Sequence, residues 1–118
     1  MNWKSIKSDK DLETVFNLFD GGAKLVSINY VACDNNSETN NVRSAELRFI
    51  GKRAFVLKFI GIDCLHVAPI SKGSIMVENV ALGKFRNLYF WADDGSFNIT
   101  MPDTSLSYVI ASELQLGL

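Results

Sequence analysis

The N-terminal part of the chain has the hydrophobic spacing of a helix. Four apolar residues follow the i, i+3, i+4, i+7 spacing that puts side chains on one helix face: Leu12, Val15, Phe16 and Phe19. Ser8 is a suitable N-cap, and the acidic residues just after it favour the positive end of the helix dipole. The pattern predicts one amphipathic helix from Asp9 to about Phe19, ended by Gly21-Gly22.

The rest of the chain has the alternation and turn signals of β-strands. The predicted strands cover residues 24–33, 44–50, 54–64, 75–82, 88–92, 97–101 and 105–113. One helix followed by about seven mostly antiparallel strands indicates a single α+β domain over residues 1–118, built as a curled sheet or a small sandwich. A meander is the simplest topology, because the connections are short.

The loop Gly51-Lys52-Arg53 predicts a hairpin with a defined register. A three-residue loop sets apolar residues opposite apolar residues and an acid opposite a base. The predicted pairs are Ile50 with Ala54, Phe49 with Phe55, Leu47 with Leu57, and Glu46 with Lys58.

Asp94-Gly95 is the strongest local signal for a second hairpin, because Asp-Gly suits the positive φ angles of a type I′ turn. The register about this turn puts six residues on one core face: Leu88, Phe90, Ala92, Phe97, Ile99 and Met101. Tyr89 and Trp91 then lie on the other face, together with polar residues.

This second face allows two interpretations. Either the helix, or the N-terminal segment with Trp3 and Ile6, covers Tyr89 and Trp91. Otherwise the two aromatic residues are exposed and form a binding surface.

Composition and charge restrict the possible ligands. A net charge of −1 provides no basic excess of the kind that a phosphate backbone requires, so nucleic acid is not an expected partner. The opening stretch has no apolar run of signal-peptide length, and no stretch approaches about 18 consecutive apolar residues. We therefore expect a cytoplasmic protein that does not bind membranes.

No catalytic or metal-binding arrangement is evident in the sequence. His66 is the sole histidine, and we expect it to make a structural hydrogen bond at a strand edge. Cys33 and Cys64 lie in apolar runs and are expected to be small core residues. Their spacing does not fit a zinc site, and turn geometry explains Asp93-Asp94. We expect a protein that is not an enzyme and holds neither cofactor nor metal.

Surface recognition remains as the source of function. Tyrosine and tryptophan supply large, rigid contact areas at little entropic cost. The predicted partner-binding set combines the two aromatic residues with a charged rim: Tyr89, Trp91, Arg86, Asp93, Asp94, Glu38 and Asp34. The same aromatic residues would also suit a homodimer.

The order of several features along the chain can be compared with that of known protein families. Trp3, a helix ending in FDGG (19–22), the strand KLVSINY (24–30) and a polar loop precede SAELRF (44–49) and NVALGKFRNLYFWADDGSFNI (79–99). Over nearly the whole chain this order resembles that of small bacterial immunity proteins encoded beside polymorphic or contact-dependent toxins. The resemblance implies a non-catalytic protein that binds one cognate toxin domain and blocks its active site.

A function of a different class remains open. A curled sheet could enclose a ligand cavity lined by Phe55, Phe59, Phe90 and Phe97. The protein would then be a small-molecule carrier or sensor.

Overall fold

A computed structural model of the chain describes residues 1–32, 42–69, 75–77 and 79–118. In chain order the described elements are β1 (Trp3–Ser5), α1 (Asp9–Asn17), β2 (Ala23–Val31), β3 (Ser44–Ile50), β4 (Ala54–His66), β5 (Ile75–Val77), β6 (Ala81–Phe85), β7 (Leu88–Ala92) and β8 (Tyr108–Gly117). The predicted α+β class is confirmed. Strand β1 was not predicted, the strand expected over 75–82 is divided into β5 and β6, and residues 97–101 do not form a strand.

The strands form one curled sheet, a half-barrel, in which the described pairs are antiparallel. Their order is β5-β2-β3-β4-β8-β7-β6, and β1 pairs with β8 on the edge that β7 also uses. The simple meander is therefore wrong, because β8 returns to lie between β4 and β7. Strand β4 is 13 residues long, and β8 provides partners for the backbone groups along most of its length.

The β3–β4 hairpin has the predicted register. Ile50 lies opposite Ala54, Phe49 opposite Phe55, Leu47 opposite Leu57, and Glu46 opposite Lys58. A short loop and a hydrophobic pattern of period two fix this register locally, so the sequence alone was sufficient to predict it.

Helix α1 begins at the predicted cap. The Ser8 hydroxyl accepts the Asp11 N–H at 3.1 Å. The Asp11 carboxylate in return accepts the N–H groups of Lys7 and Ser8 at 3.0 and 3.2 Å. These reciprocal bonds form a capping box, which satisfies backbone donors that the first helical turn leaves free.

The helix packs on the concave face of the sheet. Phe19, just beyond α1, meets the rings of Phe49 and Phe55 edge-on, with centroids 5.0 and 5.1 Å apart. Val15 is also buried there, whereas Phe16 is exposed, contrary to the predicted stripe. A helix of nine residues presents only a narrow strip to the sheet, and Phe16 lies outside that strip.

A smaller core lies on the opposite face of β7 and β8. It contains Ala92, Phe97, Tyr108 and Ile110. Strands β6 and β7 form a hairpin whose two-residue turn is Arg86-Asn87, and Arg86 has a φ of 57°. The other side of β7 pairs with β8, so the predicted hairpin about Asp94-Gly95 is wrong.

Residues 93–107 form a series of turns. The side chains of Asp94, Asn98 and Asp103 accept the N–H groups of the residues two positions later, Ser96, Thr100 and Ser105, at 2.9, 3.0 and 2.9 Å. Such Asx turns give the backbone an alternative to a strand ladder. Of the predicted core face, Ala92 and Phe97 are buried, Leu88, Phe90 and Ile99 are half-buried, and Met101 is 78% exposed.

Candidate functional site

Tyr89 and Trp91 lie in the core of the protein. They are 6% and 0% exposed, and the Trp91 ring lies 5.6 Å from that of Phe49. Ile6, just after β1, and Val15 of the helix belong to the same buried cluster. The interpretation in which this face is covered is therefore correct: the helix covers it together with Ile6, whereas Trp3 pairs with Gly117 and lies on the other side of the sheet. The exposed aromatic surface is wrong, because the sheet curls toward this side and the helix fills it.

The predicted charged rim is not assembled around one surface. Arg86 lies in the β6–β7 turn, whereas Asp93 and Asp94 follow the opposite end of β7. Glu38 and Asp34 lie outside the described residues.

The two aspartates after β7 hold the segment 93–107 in place. Asp93 accepts the Ser107 N–H at 3.2 Å, and its own N–H donates to the Ser107 carbonyl oxygen at 3.0 Å. Burial raises the pKa of Asp93 above its usual value, although the bond from Ser107 opposes the shift. The Ser96 hydroxyl and N–H lower the pKa of Asp94. The turn interpretation is therefore correct for Asp94, whose carboxylate closes an Asx turn, whereas Asp93 bonds to a residue distant in the chain, which the sequence did not predict.

His66 makes the predicted structural contact. Its Nε2 lies 2.9 Å from the carbonyl oxygen of Thr104, and its ring lies 5.4 Å from that of Tyr108. Cys64 packs against the smaller core, and Cys33 lies outside the described residues. Burial raises the pKa of Tyr108, with a further contribution from Cys64. Within the described part of the chain, no three His, Cys, Asp or Glu side chains are close enough to hold a metal ion.

We use the name outer face for three neighbouring cross-strand rows on the convex side of the sheet. The first row is Met76, Lys24, Ile50 and Ala54. The second is Ser27, Arg48, Val56, Gly117 and Trp3, and the third is Asn29, Glu46, Lys58, Gln115 and Ser5. Side chains alternate between the two sides of a strand, so these rows point away from the core filled by α1.

Large apolar side chains on the outer face are exposed. Ile50 is 55% exposed and Met76 is 58% exposed, and Trp3 also contacts solvent. The Trp3 ring lies close above Gly117, and Lys58 Nζ lies 5.7 Å from its centroid. Isolated exposed apolar residues are ordinary, whereas a group of them on one face indicates an interaction site.

An apolar groove of about 290 Å³ runs across this face. Its lining residues are Met1, Val26, Arg48, Phe49, Ile50, Ala54, Phe55, Val56 and Leu118. The sequence contained a signal for this surface. In the predicted register Ile50 has the same parity as Glu46 and Arg48, which places it on the polar side of strand β3.

A second, polar groove of about 430 Å³ lies where the sheet has a gap. Strands β1 and β7 pair with different parts of the same edge of β8, and the groove opens between them. The lining residues are Ser5, Ile6, Lys7, Lys84, Asn87, Tyr89, Ser112, Glu113, Leu114 and Gln115. Lys84 Nζ lies 5.2 Å from the centroid of the Tyr89 ring.

Comparisons with protein-family models, with curated proteins and with solved structures found no match to the chain. Within the described ranges, no helix has the length and apolar character that crossing a membrane requires.

Proposed function

We propose that this chain is a non-catalytic binding protein whose outer face holds a protein partner. The observation that carries the proposal is the grouping of exposed Ile50, Met76 and Trp3 beside an apolar groove. The concave side of the same sheet is filled, whereas Ile50 and Met76 are each more than half exposed on the outer face. Burying such a surface against a partner is favourable in proportion to its area.

The partner that we propose is a cognate toxin domain, as in the immunity proteins that the chain resembles. The protein would act in the cytoplasm by covering the active site of the toxin. The outer face suits this task because strands β2, β3 and β4 hold its rows in a fixed register. A surface fixed before binding loses little conformational entropy when the complex forms.

Co-expression with the product of the neighbouring gene tests the proposal. We expect a stable heterodimer on size-exclusion chromatography and protection of the cells from that product. Replacing two outer-face residues, in Ile50→Ser with Met76→Ser, should weaken the heterodimer by about tenfold or more, as loss of buried anchors does.

Met101→Ser is the matched control for these substitutions. Met101 is more exposed than Met76 and lies in the segment 93–107, away from the three rows. The control variant should bind and protect like the original chain. If no heterodimer forms and no protection appears, the proposed function is wrong.

The carrier or sensor function has weaker support. Phe55 and Phe59 belong to the concave core, whereas Phe90 and Phe97 lie with the smaller core on the other face. These four residues therefore do not line one common cavity. A small ligand would have to use the polar groove at the sheet gap, and a thermal-shift screen of small metabolites would detect it through a raised midpoint.

A further inference from the structure

We infer that the outer face binds an acidic surface of its partner, with one apolar side chain of the partner inserted into the apolar groove. This chemistry depends on the proposed function only in that the partner is a protein. It specifies the charge of the partner surface and the apolar side chain that enters the groove, both of which the proposed function leaves open.

Basic side chains surround the groove. Five of them lie on the three rows or in the adjoining β3–β4 loop: Lys24, Arg48, Lys52, Arg53 and Lys58. Glu46 is the one carboxylate in these rows, and it lies 3.7 Å from Arg48. A second carboxylate, Glu113, lies on the next row, opposite Ile60, so the cations still outnumber the carboxylates. The outer face is thus basic although the whole chain has a net charge of −1. An acidic partner surface is its electrostatic complement.

The groove defines where the apolar side chain would lie. Val26, Ile50, Ala54 and Val56 line it, and Arg48 contributes to its wall. A partner residue inserted there would bury apolar surface, and a carboxylate beside it would meet the Arg48 guanidinium. That planar group suits two parallel hydrogen bonds to a carboxylate.

Three other occupants match this face less well. A second copy of the chain, related by two-fold symmetry, would bring the same five cations against one another. Nucleic acid would satisfy the cations through its phosphates but would leave the exposed Ile50 and Met76 without apolar contacts. A flat bilayer would touch a convex sheet along a narrow band, so most of the three rows would stay in water.

Charge reversal tests the acidic contact in the heterodimer. Lys24→Glu and Arg48→Glu should each slow association by about tenfold or more, as measured by surface plasmon resonance. Raising NaCl from about 50 mM to about 500 mM should slow association of the original chain in the same way. Lys10→Glu on α1 and Arg86→Glu in the β6–β7 turn change the net charge equally and should alter the rate by less than about twofold.

A peptide measurement tests the same chemistry without the toxin. Fluorescence anisotropy would compare a peptide with one leucine among aspartates and glutamates, the same peptide with lysines and arginines, and the acidic peptide without leucine. We expect binding of the first peptide alone, and its loss in the Ile50→Ser variant. Duplex DNA and vesicles containing phosphatidylserine serve as the competing probes.

The two proposals fail in different ways. A heterodimer that is insensitive to Lys24→Glu, Arg48→Glu and salt overturns the acidic contact and leaves the proposed function standing. Preference for the basic peptide, the DNA or the vesicles overturns it as well. If no heterodimer forms, the proposed function fails, and the peptide series alone decides the chemistry of the outer face.

Discussion

Trp91 combines complete burial with an unsatisfied polar atom. Its indole is 0% exposed, and Nε1 has no hydrogen-bond partner among the described residues. A buried donor without an acceptor loses its hydration and gains nothing in exchange. Trp91 therefore stabilises the fold by packing against neighbours such as Phe49, and its N–H group works against that gain.

Substitution of Trp91 should separate these two effects. Trp91→Ala should lower the free energy of unfolding by about 3–5 kcal/mol, because it leaves a large cavity. Trp91→Phe should cost clearly less, since it keeps an aromatic ring and removes the unpaired donor. Urea unfolding at neutral pH measures both losses, with Met101→Ala as an exposed control expected to change little. Equal losses for the two variants would contradict this separation of packing from the unpaired donor.

Gly61 occupies a position that other residues fit poorly. Its φ is 71°, and a Cβ atom there would collide with Ser112 Oγ on strand β8. Phe59 and Ile62 both face the concave core across this point, as do Ala111 and Leu114 on β8. In both strands the alternation of core-facing side chains is therefore shifted by one residue where Gly61 lies against Ser112.

Gly61→Ala should destabilise the protein by about 1–3 kcal/mol through backbone strain and this collision. Adding Ser112→Ala should recover the part that is due to the collision. Gly21→Ala is the control, because Gly21 also has a positive φ, of 80°, but an added Cβ would meet no atom within 4 Å. Chemical denaturation of the original chain and the three variants gives the comparison, and equal losses for Gly61→Ala and Gly21→Ala would contradict a role for Ser112.

The carboxylate of Asp11 stabilises the N-terminus of helix α1. Hydrogen bonds from the backbone of Lys7 and Ser8, followed by contact with the Lys4 ammonium group at 3.2 Å, hold the pKa of Asp11 well below its ordinary value of 3.8. A pKa lowered by folding means that the ionised group stabilises the folded state above its unfolded pKa. That contribution disappears as the pH falls below it.

The free energy of unfolding should therefore decrease as the pH falls from about 4 toward 2. Asp11→Asn should be less stable at neutral pH and should show a shallower decrease in acid. Asp94 and Asp103, whose pKa values are also lowered, act in the same direction, whereas protonation of Asp93 favours the folded state.

Ser8→Ala provides the control for this pH dependence. It removes one cap bond, at a cost of about 1 kcal/mol, but retains the Asp11 carboxylate and so the acid-dependent loss. Circular dichroism during urea titration at several pH values measures all three proteins. An Asp11→Asn variant with the original slope in acid would show that other groups control it.

The sequence predicted the elements whose partners are near in the chain. The capped helix and the β3–β4 hairpin follow from spacing and loop length, because each is determined within about twenty residues. The pairing of β8 with β4 joins distant segments, and no local pattern specifies it. The hairpin predicted about Asp94-Gly95 was wrong because a turn signal does not show whether strands flank the turn. The repeated Asx-x-Ser/Thr spacing at Asp94, Asn98 and Asp103 was the contrary signal.

The curl of the sheet explains why the sequence analysis could place a binding surface at Tyr89 and Trp91. Alternation correctly put Tyr89 and Trp91 on one side of β7, but it does not reveal which side becomes concave. Once the helix fills that side, exposed apolar residues such as Ile50 are left on the outer face. A net charge near zero hides the separation of charge that the fold produces, because Lys24, Arg48 and Lys58 come together only through strand pairing.

Strand β8 pairs with both β4 and β1, so the outer face cannot form completely until β8 has joined the sheet. The β2–β3–β4 part can form from neighbouring segments, but the position of Trp3 depends on pairing between β1 and β8, which come from opposite ends of the described chain. Closing so long a loop has a large entropic cost, and it slows folding. Binding of the proposed partner would consequently depend on this pairing, since a chain without β8 in place would present Ile50 but not Trp3 in its row.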